Sequence, residues 1–209
     1  MTSGHGVRPL THDLLKYVTP ENEAAIKPLL SGFTVNRDFD IPFLANRSTD
    51  GKTVYIDRHI PESMKAGDKD FAPADTLPWH ELPEWFYMHK AGLPYDAAHR
   101  LATFVWEKPR VEALGLNWKD YQEAFGGEIE HNEKRVPEHS PPDIDLLPYI
   151  EENDHKTLRE LMHAGAHVGM QSEGASPAEG PQMASSNAKP RLRFVPVAHD
   201  PFAEEQADE

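Results

Sequence analysis

Two neighbouring stretches with helical periodicity constrain the fold of this 209-residue chain more than any other feature of its sequence. Large apolar residues recur on one side of residues 78–91, and a second apolar stripe follows in residues 96–108. Between them, Gly92 is typical of a helix C-terminus, and Pro94 cannot continue a helix. The pattern therefore predicts two antiparallel helices that are joined by a short turn and packed along their apolar faces.

The same two stretches carry residues that are suited to metal chemistry. His80 and Glu84 are four residues apart and share one face of the first helix, and His99 and Glu107 belong to the second. A rise of ~1.5 Å per residue places Glu84 within about one turn of His99, and His80 nearly level with Glu107. Converging imidazole and carboxylate groups are the ligands of zinc and iron sites, and they also form buried polar networks between helices.

The composition limits which ions and partners the chain can bind. There is no cysteine, so a bound metal must rest on His, Asp or Glu, a ligand set that suits Zn, Fe or Mn. The net charge of −14 argues against nucleic acid, because phosphate binding needs clustered Lys and Arg. No leader and no long apolar run is evident, so we expect a cytoplasmic protein with no membrane partner.

A turn sequence in the N-terminal half predicts the β-structure of the chain. Asp50 and Gly51 lie between two β-prone runs, a pattern typical of a hairpin, so residues 41–58 are predicted to form one. Residues 62–74 are predicted to form a loop. The sequence thus indicates an α+β fold class, mainly helical, with a small antiparallel β-hairpin or sheet near the N-terminal half.

Capping residues predict the remaining helices. Residues 11–17 are predicted to form a short helix, and the candidate N-caps of other helices are Thr19, Asp75 or Thr76, Asp96, Asn117 and Asp154. Pro109 is expected to end or kink the second helix of the helix pair. Gly126 and Gly127 weaken the helix predicted after Asn117.

The last part of the chain has a different composition. Residues 169–209 are acidic and rich in Pro, Ser and Ala, which predicts a disordered tail after a single globular α+β domain over residues 1–168. One apolar segment, from Arg191 to Val197, interrupts the tail. It either adds a strand to the sheet of a protein partner or folds back onto its own domain.

A metal held by the helix pair would support hydrolysis. His80, Glu84 and His99 would supply ligands, and an open position would hold a water molecule whose pKa falls toward ~7. Glu81 could take the proton of that water as general base. Glu107 could be a fourth ligand or a partner that orients a ligating His.

In residues 41–110 this arrangement resembles the minimal zincin-like metallopeptidases. In that family a strand lies beside a helix with a His-Glu-x-x-His motif, and a later helix adds a ligand. His80 and Glu81 match the first two motif positions, Glu84 replaces the second His, and His99 stands as the downstream ligand. The resemblance implies a zinc-dependent enzyme that hydrolyses peptide bonds.

Two alternatives remain open at the level of sequence. If the first helix begins at Leu82 with Pro83 in its first position, His80 and Glu84 share no helical face, and Glu84 is simply a favourable first-turn acid. In function, the alternative is that the His/Glu set serves only as a structural polar network that stabilises the helix pair. The chain would be a non-enzymatic structural or adaptor protein, for instance one encoded by a phage or mobile element and associated with a virion.

Overall fold

A computed structural model describes residues 8–167, and their fold is α+β with helices predominating. A 3-10 helix, His12–Tyr17, precedes the first α-helix, and a second, Pro73–Asp75, precedes α2. The α-helices are α1 Pro20–Leu29, α2 Pro78–His89, α3 Tyr95–Leu101, α4 Lys108–Ala113, α5 Trp118–Asn132, α6 Leu147–Glu151 and α7 His155–His163. None of these helices in residues 8–167 has the length and hydrophobicity to cross a bilayer.

The predicted hairpin is confirmed with shorter strands and belongs to a three-stranded sheet. Strands β2, Ala45–Arg47, and β3, Thr53–Ile56, pair antiparallel. The turn between them includes Gly51 at a φ of 69°, which a glycine adopts without strain. Strand β1, Thr34–Asn36, pairs in parallel with β3, so the order is β1-β3-β2 and β2 lies at an edge.

The loop predicted over residues 62–74 is wrong, because this segment contains a second hairpin. Strands β4, Met64–Ala66, and β5, Lys69–Phe71, pair antiparallel around Gly67, which has a φ of 63°. Each strand has only three residues, too few for an alternating pattern to appear in the sequence. Their buried side chains pack in one core cluster with α5, and this tertiary contact stabilises the hairpin.

Helix α2 settles the question that Pro83 raised. The helix begins at Pro78 and continues through Pro83 to His89, so the alternative start at Leu82 is wrong. Its first turn is already closed by hydrogen bonds from the N–H groups of His80 and Glu81 to the Leu77 carbonyl, each 2.9 Å long. The residue before the helix is Leu77, and no side chain caps it, so the predicted capping by Asp75 or Thr76 is also wrong.

The second helix of the pair is longer and less regular than predicted. Helix α3 is followed by a π-helical segment, Ala102–Glu107, and the chain continues as α4 to Ala113. Pro109 therefore does not end the helical path. The wider π turns come just before it, where proline cannot donate to the carbonyl four residues back. No side chain caps α3, so Asp96 is a first-turn residue and not its cap.

Three other predicted caps are confirmed by side-chain hydrogen bonds. Thr19 accepts from the N–H of Asn22, Asn117 from those of Lys119 and Asp120, and Asp154 from that of Thr157. Helix α5 runs through Gly126 and Gly127, contrary to the expected weakness there.

The core around these helices has three apolar clusters. The first lies between the two sheets and α5, the second between α1, α2 and α3, and the third between β3, α6 and α7.

Part of the sequence-based interpretation falls beyond the described residues. The tail predicted over residues 169–209, with its apolar segment from Arg191 to Val197, lies outside residues 8–167.

Candidate metal centre

Helices α2 and α3 bring three of the predicted metal ligands to one point. The Nε2 atom of His80 lies 3.1 Å from Nδ1 of His99 and 3.3 Å from Oε2 of Glu84. The third side of this triangle, from Nδ1 of His99 to Oε2 of Glu84, measures 2.8 Å. Because α2 continues through Pro83, His80 and Glu84 project from one face one turn apart, and α3 presents His99 to that face.

This triangle has the size that a metal ion requires. Ligand atoms about 2.0–2.1 Å from a tetrahedral zinc ion are roughly 3.3 Å from one another. Hydrogen bonds alone would pair these three atoms less well. Each ring nitrogen carries at most one proton, so it can donate to only one of its two neighbours. Nδ1 of His99 has a third neighbour, the Tyr95 hydroxyl, at 3.4 Å. The group of His80, Glu84 and His99 could therefore hold a metal ion.

Glu107 lies behind this triangle and not in it. Its Oε2 atom is 2.9 Å from Nδ1 of His80, the ring nitrogen that faces away from Glu84. Its Oε1 atom accepts a hydrogen bond of 2.8 Å from the Tyr121 hydroxyl on α5. Of the two roles predicted for Glu107, the geometry matches the orienting partner, because a carboxylate on Nδ1 directs Nε2 of the same ring toward a metal.

A second cluster of charged residues is centred on Arg47 of β2, which sequence reasoning missed. The guanidinium donates through Nη1 to Oε1 of Glu84 and, over 3.0 Å, to Oε2 of Glu81. Through Nη2 it lies 3.3 Å from Oδ2 of Asp145. His89 contacts the same Asp145 oxygen at 2.8 Å. The one signal in the sequence was a pair of polar residues, Asn46-Arg47, at the end of a β-prone run.

Glu81, the predicted general base, belongs to the Arg47 cluster. It follows His80 in α2, and its Oε2 atom is bound by Arg47. Its other oxygen, Oε1, accepts no hydrogen bond from any group in residues 8–167. Burial raises the pKa of Glu81, the neighbouring Glu84 adds to this effect, and Arg47 opposes it. Glu81 is thus held by Arg47 through one of its two oxygens.

The pKa values of the two α2 ligands move in opposite directions. Burial alone would lower the pKa of His80, but the carboxylates of Glu107 and Glu84 raise it well above the usual range. Burial alone would raise the pKa of Glu84, but Arg47 and the two imidazoles hold it well below the usual range. Both shifts favour the charged form of the side chain, because each residue has partners of opposite charge.

The whole region carries more buried negative than positive charge. Four carboxylates (Glu81, Glu84, Glu107 and Asp145) have side chains that are at most 10% exposed, and the buried guanidinium of Arg47 is their permanent cation. Buried charges are costly unless they are compensated. The raised pKa of His80 favours a proton that supplies part of that compensation, and a divalent cation in the triangle would also supply it.

A cleft of about 700 Å³ adjoins the triangle. Its polar side is formed by the His/Glu set, with Tyr95 about one turn before His99 and Thr103 about one turn after it. The Thr103 hydroxyl oxygen is buried and has no hydrogen-bond partner within residues 8–167. A bound molecule that enters the cleft would thus meet the candidate ligands.

Comparison with known proteins leaves the site to be interpreted from its own geometry. A scan against protein-family models, a search of curated proteins and a search of solved structures each return no match. The resemblance to zincin-like metallopeptidases in residues 41–110 therefore stays a prediction.

Proposed function

We propose that this chain is a metal-dependent hydrolase that binds a divalent ion, with zinc the best candidate, and cleaves peptide bonds. The ion would be held by Nε2 of His80, Oε2 of Glu84 and Nδ1 of His99. One observation carries the proposal: three nitrogen and oxygen donors lie within 3.3 Å of one another at the wall of a large cleft. Iron and manganese accept the same ligand types.

The residues around the triangle suit the chemistry of hydrolysis. A zinc ion with three protein ligands keeps a position for water and lowers the pKa of that water to ~7. Glu81 would accept the proton through its free oxygen, Oε1. The Tyr95 hydroxyl, 3.4 Å from a ligand atom, would donate a hydrogen bond to the oxygen that becomes negative as the carbonyl carbon turns tetrahedral.

One unpaired residue at the edge of β2 favours a peptide as the substrate. Beyond it the edge is already paired, because the Arg47 carbonyl accepts from the N–H of Asp145 and Ser48 forms a bridge with Ile144. In the β2–β3 register, Ala45 stands opposite Ile56 between the hydrogen-bonded pairs, so its N–H and C=O point away from β3. Neither group has a hydrogen-bond partner in residues 8–167, and Ala45 lines the cleft. An extended peptide can pair with such an edge through its main chain.

Elemental analysis of protein purified without an affinity tag is the first test. We expect about one zinc, iron or manganese ion per chain. Zinc-loaded protein should release new amino termini from an unfolded polypeptide such as reduced casein, and a chelator should stop the release. His99→Ala should remove both the metal and the activity while the far-ultraviolet circular dichroism stays unchanged.

Glu81→Gln separates catalysis from metal binding. The amide keeps the shape of the side chain but cannot take a proton, so we expect unchanged zinc content and a loss of about 10²–10⁴-fold in kcat. Glu112→Gln is the matched control, because Glu112 is an exposed acid on α4 that pairs with Lys108 at 3.8 Å. Normal turnover by Glu81→Gln would contradict the assigned role.

The competing class is a non-enzymatic structural or adaptor protein, such as a virion component. There the His/Glu set would only hold α2 and α3 together. Protein that takes up no metal, and whose His80→Ala and His99→Ala variants bind partners and unfold like the wild type, would support this class.

A further inference from the structure

A second pocket, of about 360 Å³, lies apart from the metal centre and shares no lining residue with its cleft. Three segments form it: residues 40–42 in the loop before β2, residues 57–59 after β3, and residues 132–138 from the end of α5 onward. A pocket of this volume suits a small organic molecule.

Asp40, one of two buried aspartates that line this pocket, has donors on both of its carboxylate oxygens. Its Oδ2 atom accepts from the backbone N–H groups of Glu138 and His139, each at 2.9 Å, and from Nη2 of Arg58 at 3.2 Å. Its Oδ1 atom contacts Nε of Arg58 at 2.7 Å and Nε2 of His59 at 3.2 Å. The carboxylate therefore connects the three segments and keeps little acceptor capacity for a ligand.

Asp57, the second buried aspartate, is also occupied by donors of its own chain. Its Oδ2 atom accepts from the N–H of Ile41 at 2.7 Å, and its Oδ1 atom accepts from the N–H of His59 at 2.8 Å. Nη1 of Arg135 lies 3.9 Å from the same Oδ1 atom and donates to the side-chain oxygen of Asn132 at 3.3 Å. These contacts hold one end of the Arg135 guanidinium in the pocket wall.

The two arginines that contact these aspartates keep donors for a ligand. Within residues 8–167, Nη1 of Arg58 has no hydrogen-bond partner, and neither do Nε and Nη2 of Arg135. The two side chains are 38% and 37% exposed, so a ligand can reach them. The pocket thus uses its buried acceptors internally and leaves guanidinium donors open, an arrangement that suits an oxyanion.

We propose that this pocket binds a small organic oxyanion, either a carboxylate or a phosphate ester, through the guanidinium groups of Arg58 and Arg135. Pro42, Val136 and Pro137 also line the pocket, so the anion can carry a compact apolar group. The net charge of −14 repels anions at long range, and binding therefore depends on these short-range contacts. The site shares no residue with the metal centre and does not depend on the proposed function.

The test uses the metal-free full-length chain, so that an anion cannot bind through a metal. Phenyl phosphate and benzoate are the two anionic probes, and uncharged benzamide is the control for their apolar ring. Backbone amide signals in NMR spectra are followed at low ionic strength, where charges are screened least. We expect a Kd of about 1 mM or tighter for at least one anion, with shifts confined to residues 40–42, 57–59 and 132–138. The tighter of the two anions identifies the ligand as a carboxylate or a phosphate ester.

Arg135→Gln removes a guanidinium with two open nitrogens and should weaken anion binding by at least about tenfold. Lys134→Gln is the matched control. It removes the same charge from the preceding residue, which pairs with Glu130 and does not line the pocket, so binding should weaken less than about threefold.

A second variant tests the pocket from the opposite direction. Glu138 is an exposed acid that lines the pocket, and its carboxylate repels an anion bound there. Glu138→Gln should therefore strengthen anion binding by about two- to fivefold. This variant gives an answer even if Arg135→Gln folds poorly, because it changes an exposed side chain. Unaltered or weaker binding by Glu138→Gln would contradict the assigned location.

Other outcomes would overturn the site as a whole. Saturable benzamide binding as tight as that of the anions would remove the role of charge, and equal losses in Arg135→Gln and Lys134→Gln would indicate unspecific attraction. Shifts at Lys119 and Gln122 of the cleft in place of the pocket would exclude the location. Failure of both anions to bind would overturn this inference and leave the metal centre standing, whereas absence of metal uptake would contradict only the proposed function.

Discussion

Helix α2 contributes side chains to two charged clusters, which differ in how the charge of their carboxylates is balanced. Around Arg47, three carboxylates surround one guanidinium, and Asp145 is also bound by His89. In the triangle of His80, Glu84 and His99, the donor atoms face one another across 2.8–3.3 Å beside an open cleft. The first cluster contains a permanent cation, Arg47, and the second consists of donor atoms that could hold a metal ion.

Glu84 belongs to both clusters, because each of its two carboxylate oxygens contacts one of them. Its Oε1 atom is bound by Arg47, and its Oε2 atom completes the triangle. Arg47 therefore fixes the carboxylate in place and keeps its pKa well below the usual range, so that Oε2 is ionised and directed at the two imidazoles. We expect the Arg47 cluster to determine stability and the triangle to determine binding, and the following predictions test that division.

The largest effect on stability is expected for Arg47→Met. Removal of the guanidinium leaves Glu81, Glu84 and Asp145 buried without their shared cation, which should lower the free energy of unfolding by about 3–5 kcal/mol. Urea denaturation followed by circular dichroism measures this change. Lys134→Met, which breaks an exposed pair with Glu130, is the control and should have little effect. A small effect of Arg47→Met would mean that the cluster is not structural.

Loss of a ligand from the triangle should have the opposite effects, a large decrease in zinc affinity and a small decrease in stability. His99→Ala removes one of three donors, and we expect zinc affinity to fall by more than about a hundredfold. The free energy of unfolding of the metal-free protein should change much less than in Arg47→Met, because His99 is partly exposed. Competition with a fluorescent zinc chelator gives the affinity. Unaltered zinc binding would exclude the triangle as the site.

Glu107→Gln should have an intermediate effect on the metal. The amide can no longer act as a charged acceptor for Nδ1 of His80, so zinc affinity should decrease by about 10–100-fold. Tyr121→Phe removes only the hydrogen bond to the other oxygen of Glu107 and should cost less. A larger loss in Tyr121→Phe than in Glu107→Gln would contradict an orienting role for the carboxylate.

The pH dependence of zinc binding should be the mildest and most specific test. The pKa of His80 is raised well above its usual value in the metal-free protein, so zinc must displace a proton near neutral pH. Affinity should rise with pH by up to about tenfold per unit and level off above that pKa. In Glu107→Gln, which lacks the charge that raises the pKa, the levelling should occur at lower pH. A profile that is flat between pH 6 and 8 would contradict the assignment of His80.

The outcome at Pro83 shows what a local pattern can predict. The i, i+4 spacing of His80 and Glu84 and the turn signals at Gly92 and Pro94 were sufficient for the helix pair, because both depend on periodicity over a few residues. The same reasoning could not decide where α2 begins. That depended on hydrogen bonds to the Leu77 carbonyl, which form only once the preceding chain is in place.

The short hairpin of β4 and β5 and the role of Arg47 were not predictable in the same way. Strands of three residues have too few positions for a pattern, and the β4–β5 pair is stabilised by packing in a core cluster with α5. Arg47 approaches Glu84 and Asp145 from 37 and 98 residues away in the chain. A single sequence contains no signal for contacts at such separations.

By itself, the sequence determined which residue types could bind a metal, because a chain without cysteine leaves His, Asp and Glu. It also determined that His80 and Glu84 share a face if one helix contains both, whereas the structure decided that one helix does. The tertiary structure alone decided that His99 meets them, that Glu107 turns to the far side of His80, and that Arg47 binds the second oxygen of Glu84. These contacts depend on the packing of separate elements around buried charges. No local rule specifies the rotation of one helix against another.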